Sequence, residues 1–268
     1  MEKSAKLGKL TLLNIILFGF IGQVAWAVEN NFFNTFLFSF GGTTKDISTM
    51  VAASAVVAGV TTFVMGTLSD KLGRRKVFIC AGYVAWGITV MAFAFISREN
   101  LGKLIGADPS SAAALSATVT TVIVMDCIMT FMGSTSNDSA FNAWITDVTV
   151  PSNRAKTEGL LAILPVLALV IVTGVFGFIA GDDAQASDYA TCFLGLGILV
   201  IICGIVGIFT IKDTGSGQKS DGNFFADLIY GFRPSVIKSH KCLYLSLACM
   251  GVYSIASQVF FPYIFIYI

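Results

Sequence analysis

An all-α, polytopic transmembrane helix bundle is the fold class this sequence predicts, and three observations predict it. Of its 268 residues 55% are hydrophobic and only 12% are charged, with a mean hydropathy of +0.80. A soluble chain carries roughly 25% charged residues, so too little polar surface remains to face water and the solvent is lipid. Seven apolar segments are each long enough to cross a bilayer, at about 10–38, 47–68, 77–97, 113–146, 158–181, 189–211 and 242–266. A hydrocarbon core of ~30 Å needs roughly 20 residues rising ~1.5 Å each. The basic residues, finally, alternate from loop to loop. With the amino terminus in the cytoplasm, 14 of the 17 Lys and Arg fall inside, and only Lys45, Arg98 and Lys103 fall outside, as the positive-inside rule requires.

The same composition excludes several function classes. A net charge of +1 makes no case for a nucleic-acid partner. The single histidine, His240, rules out a His-based metal site or a Ser-His-Asp triad. Six cysteines lie almost wholly in apolar runs without C-x-x-C spacing and read as small packing residues. No nucleophile–base pair, metal cluster or phosphate-binding glycine loop points to an enzyme, and no cofactor is implied.

The first segment follows Lys3, Lys6 and Lys9 and runs into Ala25-Trp26-Ala27, which imitates a cleavable signal peptide. Its apolar character continues through Phe32-Phe33 and Phe36-Leu37-Phe38, so it is read as a retained helix. The first and fourth segments exceed a minimal span and are expected to tilt or project beyond the bilayer. The fifth holds Pro165, a candidate kink, and Gly174 with Gly177-x-x-x-Gly181, a close-packing pattern. The outer loop after it is purely acidic, with Asp182, Asp183 and Asp188. The inner segment from Lys212 to Lys241 begins as a flexible polar linker. It then places Phe224, Phe225, Leu228, Ile229 and Phe232 at helical spacing before Pro234, the pattern of a short helix lying on the cytoplasmic membrane face.

The loop between the second and third segments reads Gly66-Thr-Leu-Ser-Asp70-Lys-Leu-Gly73-Arg74-Arg75-Lys76. Gly73 permits a tight turn, Gly66 a close helix approach, and the basic run pins the loop to the cytoplasm. Asp70 can pair with an arginine or cap a facing helix. The segment resembles the signature loop of the major facilitator superfamily, G-x-L-(S/A)-D-(R/K)-x-G-R-(R/K), at every specified position. A second stretch, Asn137-Asp138 through Asn142, Trp144 and Asp147, followed by Asn153-Arg154 and Glu158-Gly159, is similar to the helix 4 to helix 5 region of the glycoside–pentoside–hexuronide:cation symporters, the melibiose-permease-like branch. There an Asp in helix 4 serves the cation, and Asp138 takes that place here. That branch also uses aspartates on helix 2, but the segment from Ile47 to Leu68 contains none, which leaves a proton as the simpler coupling ion and sodium as the alternative.

Charged and amide side chains in hydrocarbon cost on the order of 3 kcal/mol or more, so those inside the segments face protein or water. In the first segment Gln23, Trp26, Asn30 and Asn34 recur at steps of three and four. Trp26 offers a flat surface for a sugar ring and the amides offer donors and acceptors for hydroxyls. The competing reading is hydrogen bonding between helices. Glu29, beside this stripe, is either a proton acceptor or an interfacial residue. In the fourth segment Asp126, Thr130, Gly133 and Asn137 form one stripe that runs on toward Trp144, while Ser134, Asp138 and Asn142 form a neighbouring one. Asp126 and Asp138, about three turns apart, are candidates for the coupling ion or the solute. The competing partner for Asp138 is Arg154. Asp147 is expected to pair with Arg154 or with a basic residue of the signature loop, and Gly66, Asp70, Gly73, Arg74, Arg75, Asp147 and Arg154 together form a candidate conformational latch.

The resemblances therefore imply a six-helix transporter domain over 1–211, made of two inverted three-helix repeats. A cytoplasmic linker over 212–241 follows, and 242–268 is the first helix of a carboxy-terminal half that the chain does not include. The function they imply is alternating-access, cation-coupled uptake of a sugar or similar small polar solute across the cell membrane. The partners are then the lipid bilayer, the solute and the second half. The rivals are proton-driven export of drugs, against which the absence of G-P-x-x-x-G-G from the fifth segment argues, and a non-transporting receptor, for which no soluble domain is present.

Overall fold

The computed structural model describes residues 7–180, 186–213 and 229–259. Among the described residues six helices are long and apolar enough to cross a membrane: Lys9–Ser39, Thr44–Leu72, Arg75–Phe95, Ala112–Val148, Pro151–Ile179 and Asp188–Thr210. They are the first six predicted spans, each matching its predicted range to within several residues. A further apolar helix, Lys241–Gln258, begins where the seventh was predicted. Their outward faces are hydrocarbon-like, with Phe178 at 92% and Phe209 at 81% exposed, which is the surface lipid would cover.

Local chemistry sets the helix ends. Thr43 accepts from Asp46 N while Asp46 accepts from Thr43 N, a capping box that opens the second span. That span closes on Gly73 at φ 62°, a left-handed conformation that favours glycine. Between the third and fourth spans lies a helix that the sequence reading took as loop, Arg98–Ile105, capped by Ser97 and ended by Gly106 at φ 68°. Ser111 then caps the fourth span. The helix of the fifth span runs without a break through Pro165.

The most extensive packing joins the third and sixth spans. A Cβ on Gly87 would stand 2.6 Å from the Gly197 carbonyl oxygen, and one on Gly204 2.9 Å from Val84 N. Backbone therefore rests against backbone along this seam. The first span packs on the fifth, and the second on the fourth. The close contact expected of the fifth-span glycines is not made there among the described residues: a Cβ on Gly174 or Gly177 would meet nothing within 4 Å. Gly181 lies outside the described residues. Most of the predicted membrane-surface helix, including Phe224, Phe225 and Leu228, also lies outside them. Its described continuation is a turn at Tyr230–Phe232, whose Phe232 ring sits 5.6 Å from that of Phe63 on the second span, and a short helix Pro234–Ser239.

Candidate functional site

Two of the long helices widen to π geometry, and both do so at their polar stretches. The first span widens to a π-helix at Glu29–Phe33, and the fourth at Ser134–Phe141. Each is the leading helix of one predicted three-helix repeat. A π turn re-aims side chains and frees carbonyls, and such segments recur at functional sites. In the first span three amides take up those carbonyls: Asn30 Nδ2 donates to Trp26 O at 2.8 Å, Asn31 Nδ2 to Ala27 O at 2.7 Å, and Asn34 Nδ2 to Asn30 O at 2.9 Å. One N–H of each amide is thus bonded within its own helix, and neither of the two readings offered by the sequence had it there.

Between the first, second, fourth and seventh spans lies a half-open cavity of about 870 Å³. Gln23, Trp26, Glu29, Asn30 and Asn34 line it from the first span, and Asp126, Thr130 and Asp138 from the fourth. The second span adds Ser48, Ser54 and a row of alanines, and the seventh adds Ser254. The three carboxyl groups converge here. Thr130 Oγ1 donates to Glu29 Oε1 at 2.9 Å, joining the first and fourth spans, and Ser134 Oγ donates to Asp138 Oδ2 at 3.0 Å. The Trp26 indole nitrogen is turned to Asp138 without closing a hydrogen bond. Its ring leans on Trp86 at 4.9 Å and on Gly133, where a Cβ would come within 2.8 Å of both indoles. Three buried acceptor atoms remain without a partner: Glu29 Oε2, Asp126 Oδ1 and Asn34 Oδ1. No Lys or Arg lines the cavity among the described residues.

Asn137, Asn142 and Trp144, candidates for the solute, are not brought to this cavity. Asn137 is 4% exposed and points to the far side, where its Nδ2 donates to Tyr83 Oη at 2.8 Å. Tyr83 donates in turn to Phe18 O at 2.7 Å. Trp144 is 2% exposed, stacks on Phe141 and donates from Nε1 to Lys212 O at 3.2 Å. Asn142 is exposed and donates to Asp138 O at 3.0 Å. The cause is the π segment. Sequence periodicity assumed α spacing throughout, and the wider turn from Ser134 onward shifts that register, so Asp138 rather than Asn137 continues the cavity face begun by Asp126 and Thr130. Sequence reasoning missed Ser48, Ser54, Ser254 and Tyr83. The first two had a signal in helical spacing, Ser48 with Ala52 and Ala55, and Ser54 with Val51 and Ala58.

Of the candidate latch residues, Asp70, Arg75 and Asp147 come together at one end of the bundle. Arg75, 8% exposed, pairs with Asp70, bonds Asp147 Oδ2 through Nε at 3.2 Å and donates from a terminal nitrogen to Ser69 Oγ at 2.5 Å. Asp147 thus pairs with the signature loop rather than with Arg154, which donates instead to Thr146 O at 3.0 Å and Thr149 Oγ1 at 3.2 Å. Arg154 makes no contact with Asp138. Arg74 is exposed, and a Cβ added at Gly66 would stand 3.7 Å from Ser139 Oγ of the fourth span, an ordinary contact. The chain leaving the sixth span closes the same end, where Asp213 Oδ1 accepts from Lys76 N at 2.8 Å.

An all-helical bundle with six apolar spans, a polar cavity walled by its first and fourth helices, and an ion-paired loop between its second and third defines a multi-pass membrane transporter. The sequence pattern of the Major Facilitator Superfamily matches residues 15–268. The chain belongs to that superfamily, whose members are transporters and not enzymes. No curated protein and no solved structure matches it.

Proposed function

We propose that the protein is a secondary active transporter that couples a cation, most simply a proton, to uptake of a sugar-sized polar solute by alternating access. The observation that carries this reading is the convergence of Glu29, Asp126 and Asp138 on one cavity with no basic residue among its described lining. Carboxyl groups of this kind form the proton relays of membrane pumps and transporters. Here Thr130 links Glu29 to the turn above Ser134, and Ser134 holds Asp138. A proton taken up on one carboxyl would ease the repulsion among the three and let the cavity close against a partner bundle. The polar lining favours a hydrophilic solute over the lipophilic cargo of the export reading.

The position of Asp138 in the cavity also supports placing the chain nearest to the glycoside–pentoside–hexuronide:cation symporters. The basic residues support an orientation in the cell membrane with the amino terminus and the signature loop on the cytoplasmic side. The test is uptake of labelled sugars by the purified full-length protein in vesicles. An inward proton gradient is expected to drive accumulation, and Asp138→Asn to leave downhill exchange while losing the response to the gradient. Sugar entry indifferent to both proton and sodium gradients would sink the coupling claim.

A further inference from the structure

Trp26, the aromatic wall of the cavity, is held in place by two residues that do not line it. Its ring stands 4.9 Å from that of Trp86 on the third span, and the outer edge of its six-membered ring rests on Gly133 of the fourth. Gly133 is the last α-helical residue before the π segment that carries Asp138. The indole nitrogen of Trp26 is turned to that same carboxyl.

The two indoles differ in their freedom to move. Trp86 is fully buried and stands edge-on to Tyr83 at 5.6 Å, and Tyr83 is itself bonded to Phe18 O and Asn137. Trp26 is half-buried and borders two open volumes. One is the cavity of about 870 Å³, and the other is a space of about 350 Å³ toward the fifth and seventh spans. A Cβ at position 133 would stand 2.8 Å from Trp26 Cη2, 2.8 Å from Trp86 Cε2 and 3.0 Å from Trp26 Cζ2. Carbon atoms pack at about 3.5–4.0 Å, so something must give. The helix backbone and a fully enclosed ring have no room, and Trp26 has it on the cavity side. The missing Cβ of Gly133 therefore sets how far Trp26 stands back from the solute space.

We infer that Gly133 and Trp86 are positioning residues for the solute. Together they fix the depth and tilt of the Trp26 ring, so that it receives the C–H face of a sugar ring instead of filling the volume the sugar needs. Aromatic contacts depend on ring geometry as well as on buried area, and a side chain already held in its bound position loses less freedom on binding. This rests on the reading of the cavity as a sugar site and adds to it two residues behind the cavity wall.

The experiment is calorimetric titration of the purified full-length protein and its variants with glucose, galactose, maltose and sucrose, with tryptophan emission read alongside. For the sugar that binds tightest, Gly133→Ala is expected to weaken affinity about three- to tenfold and to shift the emission as Trp26 moves. In a Trp26→Phe background, whose smaller ring lacks the colliding atoms, the same substitution is expected to change affinity by less than about twofold. Trp86→Phe, which withdraws support without adding a methyl, is expected to weaken affinity about threefold beside Trp26 and less than about twofold in the Trp26→Phe background. It decides the question if Gly133→Ala does not fold. Losses that persist undiminished in the Trp26→Phe background, or an affinity unchanged by the substitution, overturn the inference while the sugar site survives. If no sugar gives saturable binding to the unsubstituted protein, the sugar reading falls and this inference with it.

Discussion

The third and sixth spans and the longer first and fourth spans solve opposite problems. The third and sixth meet through Gly87, Gly197 and Gly204, close enough that an added Cβ would collide with the facing backbone. The third keeps α geometry until a short 3-10 turn at its end, Phe93–Phe95, and the sixth keeps it throughout. The first and fourth are broken by π segments, meet through a Thr130–Glu29 hydrogen bond and wall a polar cavity. In hydrocarbon, helices associate through close packing and hydrogen bonds rather than through the hydrophobic effect. One pair of spans thus concentrates its packing into a rigid seam, and the other gives packing up where polar groups must stay reachable. Polar ties join the two regions, among them the bond from Tyr83 in the third span to Phe18 O in the first. Arg75, at the start of the third span, holds Asp147 at the end of the fourth, and Tyr83 in the middle of the third holds Asn137 in the π segment.

Breaking the ties and the seam separately would sharpen this contrast. The largest effect is expected for Arg75→Ala, which leaves Asp147 and Asp70 without their shared cation. Losing one partner of a buried ion pair is unfavourable by about 3–5 kcal/mol. The partial exposure of both carboxylates, 58% for Asp70 and 20% for Asp147, brings the expectation to the low end or below. Thermal unfolding in detergent should show it, and Arg75→Lys should recover only part, since a single ammonium cannot reproduce the fork that reaches both carboxylates and Ser69.

Next is Gly197→Leu, whose side chain would be driven into Met91 and the Gly87 carbonyl. Overpacking of this kind is destabilising by about 1–3 kcal/mol. Solute binding per folded molecule should be unchanged, and a loss of affinity without a loss of stability would contradict the separation of scaffold from cavity. The smallest effect is expected for Tyr83→Phe, which removes one buried hydroxyl between Asn137 and the Phe18 carbonyl, worth about 1–2 kcal/mol. Because Asn137 faces away from the cavity, affinity should hold here too. A changed affinity would show that the tie reaches the cavity by shifting the π segment.

The legible and illegible parts of the site divide along the same line. Gly73 and the capping box at Thr43 and Asp46 were open to reading because a turn or cap is decided by neighbouring residues. Asp70, Arg75 and Asp147 were legible as candidates for one cluster, but Ser69 was not, and the choice of Arg75 rather than Arg154 as the partner of Asp147 depended on how the fourth span ends against the third. Of the polar stripes, Gln23, Trp26, Asn30 and Asn34 did reach the cavity, as did Asp126 and Asp138. Asn137 and Trp144 did not, and no count of threes and fours along the chain could have said so.

The sequence by itself determined that this chain crosses a membrane repeatedly, where each of the first six helices runs, and that it carries the superfamily's hairpin signature. Those properties depend on hydropathy summed over a segment and on residues in immediate succession. Only the tertiary structure decided which carboxyls share a cavity, which amides bond back onto their own helix, and which glycines form the seam. Each of those depends on the facing of one helix against another, and a π turn alters that facing without changing the composition of the segment that contains it.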